Sequence, residues 1–284
     1  MTRKTVKAGL LALIAAVGLG WSGAGMNATH AQDSGGKLEQ IQKAGKVRVG
    51  MAQFSPFVSK NPSTNKLEGL EVEMAARLAK ELDVKLEIVE GTWATLFAGL
   101  HANKYDVVMS GSKRTLQRAM AVNFTEPYVS LTEHALVRKS DNIKAWADLD
   151  KDGAVICSVL GGAAHLALTR DHADSIKRAK VLPLKELTLC GQSVIGGQAT
   201  AWIEDVVSTS MFAKAHPEAG LTIISVPFAT HGEGNGYAVA KGDIEFLNWL
   251  NLFVTKMKNT GVYKRLAAKY GLPETILVRG WGDN

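Results

Sequence analysis

Apolar and polar residues alternate along this chain with two different periods, and the changeovers outline its elements. Residues 46–52 (KVRVGMA) alternate every second position and predict a strand. Beyond it, Val72, Ala75, Ala76, Ala79 and Leu82 recur at helical spacing, and Glu71 with Glu73 suits the positive end of a helix dipole. KLEIVE at 85–90 reads as the next strand, 93–102 as a helix, and YDVVM at 105–109 as a third strand running into Ser110-Gly111-Ser112. Strand, helix, strand, helix, strand is the pattern of a parallel α/β sheet, in which ligands sit beyond the carboxyl ends of the strands. The pattern restarts at 154–159 (AVICSV), which breaks at Gly161-Gly162 into a helix over 163–171. Strands follow at 179–183 and 199–203, then a helix at 205–215 and a strand at 221–225. A glycine-rich stretch at 232–236 precedes a strand at 237–240. Leu247, Leu250, Val254 and Met257 then share one helical stripe, and a last helix covers 263–270. Residues 33–37 read as a polar linker, and no internal repeat is visible. The expected architecture is two α/β units with a closing tail of strand and helices.

The first residues follow a different logic. Arg3, Lys4 and Lys7 lead into an uncharged apolar run at 8–20, which ends in the small and polar stretch MNATHA at 26–31. A basic start, a short apolar middle and a small-residue exit describe a secretory signal peptide over residues 1–31, cleaved after Ala31. An apolar run of about 13 residues is too short to span a bilayer, which needs about 20. No cysteine lies near the exit, so the mature chain is expected to be free rather than membrane-anchored, and a periplasmic location follows.

Removing that segment changes the charge. The whole chain of 284 residues carries 33 basic and 27 acidic residues, a formal +6. Without its three N-terminal cations the balance falls to +3, spread rather than clustered with aromatics, and nucleic acid is not an expected partner. With 46% hydrophobic and 21% charged residues the chain is neither disordered nor low-complexity. Two cysteines, Cys157 and Cys190, travel to an oxidising compartment where a disulfide is permitted, although either thiol also suits a small buried hydrophobe. No His/Cys spacing fits a zinc site, and neither a metal nor a cofactor is expected.

Three stretches carry more chemistry than packing asks for. Phe54 and Phe57 follow the first strand. Ser110, Gly111, Lys113 and Arg118 follow the third, where an arginine fork suits a carboxylate. Gly161-Gly162-Ala163 enters a helix, where successive amides form an anion nest. P-loop, Gly-x-Ser-x-Gly and His-Glu-x-x-His motifs are absent from the sequence, so no catalytic residue is assigned and a non-enzymatic role is expected.

Residues 69–79 (GLEVEMAARLA) resemble the signature of the family 3 extracellular solute-binding proteins, the polar amino-acid receptors of ABC importers. The resemblance continues through 93–100 (WATLFAGL), 104–111 (KYDVVMSG), Arg118, 124–128 (FTEPY), 201–205 (AWIED) and the helices of 249–270, in the family's order. It implies the two-lobed periplasmic binding protein fold of type II: two α/β sandwich lobes joined by two hinge strands, with the ligand between them. By position, the first lobe would take residues 37–135, the second 136–234, and the return segment 235–284. The hinges would fall near 133–138 and 233–237. Phe54 and Trp93 match the aromatics that flank the ligand side chain. Ser110 and Gly111 match residues that meet the ligand through backbone groups, Arg118 the arginine on its α-carboxylate, and Asp205 the acid on its α-ammonium. The partners so implied are a small-molecule ligand, expected to be an amino acid, and a membrane permease, with the receptor itself a monomer.

Two departures stand out. Lys113 replaces a frequent threonine, and Gly162 a frequent serine or threonine, so two hydroxyls leave the expected carboxylate pocket and one cation enters. Lys113 either supplements Arg118 or reaches an acidic ligand side chain, or it turns outward and the ligand is not a standard α-amino acid. The alternative functions are a lyase on the same scaffold, similar to cyclohexadienyl dehydratase with Glu133 or Glu204 as nominal acids, and a ligand-sensing partner of a membrane receptor.

Overall fold

The computed structural model describes residues 35–227 and 234–279. The expected signal peptide and Glu233 lie outside them. In chain order the elements are α1 (Lys37–Ala44), β1 (Lys46–Ala52), β2 (Ser59–Lys60), β3 (Leu67–Glu68), α2 (Leu70–Glu81), β4 (Lys85–Gly91), α3 (Leu96–His101), β5 (Val107–Val108), α4 (Leu116–Ala119) and β6 (Val122–Phe124). There follow β7 (Glu133–Arg138), β8 (Val155–Val159), α5 (Ala163–Leu166), β9 (Lys180–Leu184), α6 (Leu187–Ile195), β10 (Ala201–Asp205), α7 (Val206–Ala215) and β11 (Leu221–Ser225). The chain closes with β12 (Ala238–Ala240), α8 (Ile244–Asn259) and α9 (Val262–Lys269).

These strands form two five-stranded sheets, one per lobe. The first has the order β4-β1-β5-β12-β6, with β1 parallel to β4 and β5, and β12 antiparallel to β5 and β6. The second has the order β11-β7-β10-β8-β9, parallel across β10, β8 and β9 and antiparallel at β7 and β11. Both lobes thus combine parallel strands, which need helical crossovers, with antiparallel strands delivered by the chain as it crosses between sheets. The outgoing crossing runs through 125–132 and the returning one through Asn235. They are hydrogen-bonded to each other: Asn235 N–H donates to Val129 O at 2.7 Å, and Tyr128 N–H to Asn235 O at 3.0 Å.

The hinge expected at 133–138 is therefore misplaced. Glu133–Arg138 is an inner strand, paired along its length with both β10 and β11. Ala135, Leu136 and Val137 are all buried, as a strand covered on both faces requires. The hinge chain comes just before it.

Helices supply the outer layers. Leu70, Met74, Ala75, Leu78 and Ala79 of α2 point into the first lobe. So do Phe246, Leu250, Phe253, Val254 and Met257 of α8, on the period expected of a one-faced helix. Three helices were not visible in the periodicity, one of them the single turn α4, too short to show a period. In α1 only Ile41 is buried, so its stripe shrinks to a single residue. In α6 the buried positions include Cys190, Gly191 and Ser193, which carry little apolar signal. The expected helix from residue 93 starts instead at Leu96, after a turn closed by Thr95 N–H donating to Thr92 O at 3.0 Å. The strand expected at 199–203 runs over 201–205, which places Asp205 at its carboxyl end. Cys157 on β8 and Cys190 on α6 are joined by a disulfide, with 5.5 Å between their α-carbons.

Candidate functional site

The carboxyl ends of β1 and β5 in the first lobe and of β8 and β10 in the second meet at one cavity. Phe54, Trp93, Gly111, Lys113 and Arg118 line it from the first lobe, and Glu133, Val159, Gly162, Ala163, Glu204 and Asp205 from the second. Leu131 and Asn235, both on the crossing chains, complete the wall. Strand ends are where backbone polar groups run out of sheet partners, so they are the natural place for a site in an α/β fold.

Arg118 belongs to the single turn α4, whose N-cap Thr115 accepts a hydrogen bond from the Arg118 amide. Its guanidinium is 5% exposed and donates from Nη1 to Lys113 O at 3.0 Å and from Nη2 to Gly161 O at 3.1 Å. The second bond crosses from one lobe to the other. The rings of Phe97 and Trp93 lie 4.8 and 5.7 Å from its Cζ, within cation–π range. Burial pushes the guanidinium down to about 10, with Glu204 and Glu133 pulling it back up, so it stays charged at neutral pH. Its Nε is buried and makes no hydrogen bond within the protein.

Asp205 answers from the opposite wall. One carboxylate oxygen caps α7 by accepting from Val207 N at 2.8 Å and Ser208 N at 3.0 Å, while Oδ2 is buried without a partner. Burial raises its pKa, against the hydrogen bonds from Ser208 and Val207. Asn235, 3% exposed, donates from Nδ2 to Gly111 O and leaves its own Oδ1 unpaired. Three cavity-lining residues therefore each carry a buried polar atom with no bond inside the protein. Such atoms cost about 1–3 kcal/mol each when they stay unsatisfied.

Lys113 does not turn outward. It is 6% exposed and donates to a carboxylate oxygen of Glu133 on β7 and, at 3.3 Å, to Leu131 O. Since Glu133 is the Cα partner of Asp205 across the β7–β10 pair, this ion pair stands beside the Asp205 carboxylate. Glu204 lies next to both. Burial pushes it up to about 8, with Asp205 and Glu133 adding to the rise and Lys113 opposing it.

The remaining expected residues separate into those at the cavity and those behind it. Phe54, Trp93, Gly111, Gly162 and Ala163 are on the wall. The rings of Phe54 and Trp93 meet edge to face at 5.8 Å, and Trp93 Nε1–H donates to Gln53 O at 3.0 Å. Ser110 uses its hydroxyl inside the sheet, accepting from Ala52 N–H at 2.9 Å. Gly161 also sits behind the wall, with φ +78°, where a β-carbon would fall 2.7 Å from Ala94 Cα of the other lobe. Only glycine allows both that conformation and that approach. Sequence reasoning missed Asn235, Leu131 and Phe97. Asn235 was treated as part of a glycine-rich stretch, and its polar side chain there was the one available signal.

With this geometry in view, comparison with known proteins is decisive. The model of the bacterial extracellular solute-binding proteins, family 3, matches residues 47–273. The chain belongs to that family. A probable histidine-binding protein of Neisseria gonorrhoeae is 30% identical over 77% of this chain and 80% of its own. A cyclohexadienyl dehydratase of Pseudomonas aeruginosa is 27% identical over 66% of this chain and 69% of its own. Among solved structures, an ancestral amino acid-binding protein described as a precursor of cyclohexadienyl dehydratase superposes with a TM-score of 0.74, at 33% identity, over 83% of this chain and 99% of its own. The solute-binding chain has the family's two lobes and interlobe cavity. Among its described residues no helix is long and apolar enough to cross a membrane, and no cluster of three or more His, Cys, Asp or Glu could hold a metal ion.

Proposed function

We propose that this protein captures a polar amino acid between its lobes in the periplasm and presents it to the permease of an ABC importer. The observation that carries the reading is that Arg118 and Asp205 line one cavity from opposite lobes and each holds a buried polar atom, Nε and Oδ2, without a partner in the protein. An amino acid has the complementary ends: its α-carboxylate accepts from Arg118, and its α-ammonium donates to Asp205 and Asn235. Phe54 and Trp93 hold the side chain, while the Gly111, Gly162 and Ala163 backbone completes the wall. Unpaired charges in a closed cleft cost several kcal/mol, so the ligand stabilises the closed form over the open one and shifts the population toward it. The names of the Neisseria protein and of the ancestral protein support an amino-acid ligand. The basic and apolar N-terminal segment and the extracellular family support the periplasm. The test is titration calorimetry against the common amino acids, with a Kd of about 1 μM or tighter expected for at least one of them. Binding of none of them rejects the reading.

One observation favours a second reading. Glu204, pushed up to about 8, keeps its proton at neutral pH inside the cavity, and a protonated carboxyl is what general-acid loss of a hydroxyl group needs. With a dehydratase among the relatives, the protein should also be incubated with arogenate and prephenate while aromatic absorbance is followed. Sustained turnover would establish the lyase, and binding without turnover the receptor.

A further inference from the structure

The charges on the cavity wall do not balance against a neutral amino acid. Lys113 and Arg118 face Glu133, Glu204 and Asp205, two cations against three carboxylates. Lys113 and Glu133 cancel each other in place through their own hydrogen-bonded ion pair. If the amino-acid reading above holds, the ligand carboxylate compensates Arg118 and the ligand ammonium compensates Asp205. Glu204 is then left over. It stands on the wall beside them, and the hydrogen bond it accepts comes from its own neighbour, the Asp205 amide, at 3.3 Å.

Glu204 is half-buried, and a carboxylate partly withdrawn from water beside other carboxylates ionises less readily than one in solvent. Around Glu204, Asp205 follows it on β10, Glu133 and the cross-strand partner His134 come from β7, Lys113 follows β5, and Arg118 comes from α4. Of the two cations, one is engaged by Glu133 and the other is the partner of the ligand carboxylate. The compensating positive charge then comes either from a proton on Glu204 or from the ligand. The cavity suits the latter: the Phe54 and Trp93 rings that flank the side-chain space also attract cations.

We propose that Glu204 is a specificity residue that pairs with a positively charged ligand side chain, so that this protein selects cationic α-amino acids over neutral isosteres of the same length. With no cation in the cavity, burial and the neighbouring carboxylates hold the Glu204 carboxyl up at about 8, and exposure to water in an open cleft would return it toward the ordinary range. Neutral ligands therefore bind with proton uptake and weaken as pH rises, while cationic ligands bind the ionised carboxylate directly. The preference for the cation grows with pH across that window.

Arginine and its neutral isostere citrulline separate these cases in titration calorimetry. At about pH 8 arginine should bind at least about tenfold tighter than citrulline, and the ratio should shrink several-fold at about pH 6. Glu204→Gln should bring the ratio of arginine to citrulline affinity down toward one and remove its pH dependence. Citrulline binding as well as arginine, a ratio flat with pH in the unmodified protein, or an undiminished preference in Glu204→Gln would each overturn the proposal while leaving the receptor reading intact. Tighter binding of glutamate than of arginine would assign the selecting charge to Lys113 and overturn it too. Failure of every amino acid to bind would remove both.

Discussion

The two lobes meet the same cavity with opposite chemistry. The first lobe brings the cations Lys113 and Arg118 and the rings of Phe54 and Trp93, and the second brings Glu133, Glu204, Asp205 and a small-residue turn. Their interiors differ as well. The first lobe has one continuous apolar core, joined by α8 and α9 and reached across the cleft by Val159 and Val207. In the second lobe the sheet divides two smaller clusters, and one of them contains the disulfide. Each wall alone would leave like charges in water. Across the cavity opposite charges face each other, and in the proposed function a zwitterion would supply the pairings that remain. The larger lobe relies on burial, and the smaller adds a covalent tie, as domains with limited cores often do.

Substitutions that separate the walls test this comparison most strongly. Arg118→Ala should weaken amino-acid binding by about a thousandfold or more with the fold retained by circular dichroism, because it strips a buried ion pair of one partner. Asp205→Asn should lose about a hundredfold, less because asparagine still caps α7. Unchanged affinity in either variant would mean that its wall does not hold a ligand charge. Next in size is the disulfide. Replacing both Cys157 and Cys190 by alanine opens a loop with a separation of 33 residues and should cost the second lobe about 3–4 kcal/mol in denaturant unfolding, with ligand affinity nearly unchanged. A first-lobe transition that shifts equally would show that the two interiors unfold as one unit.

A third effect belongs to the first lobe alone. Glu71 is fully buried, accepts a hydrogen bond from Tyr128 and is raised by burial from 4.5 to about 7. Because the native pKa exceeds the unfolded one, the folded state holds the proton more tightly. The contribution is complete below about pH 4.5 and is lost as pH rises through about 7, a loss of about 3 kcal/mol. Melting curves between about pH 5 and about pH 8 should show a slope of this sign that Glu71→Gln removes. An unaltered slope would locate the titration elsewhere. The smallest expected effect is at the lobe contact. Gly161→Ala places a β-carbon against the Ala94 backbone and strains φ +78°, so affinity should fall about tenfold as closure is obstructed. Wild-type affinity would show that Gly161 does not limit closure.

Much of the first lobe was legible in the sequence, because β1, α2 and β4 each present a clean period. The second lobe was less so. β7 is buried on both faces and α6 buries small and polar residues, so neither shows the amphipathic signal that periodicity detects. At the site, Arg118, Asp205, Phe54 and Trp93 were named from motif positions, and all four stand at the cavity. Ser110 and Gly161 were named too but serve the sheet and the lobe contact. Asn235 escaped notice because its importance depends on a chain crossing that brings residue 235 back beside Gly111.

By itself the sequence determined the family, the α/β alternation and the residue types of the binding chemistry, since these depend on local periods and short motifs. Tertiary structure decided which charges share a cavity and which are already paired. Lys113 shows the difference: its position was visible from the start, but three roles remained open for it. Only the packing of β7 against the first lobe placed Glu133 within reach of its ammonium, and an ion pair between residues 20 apart in sequence leaves no mark on either one alone.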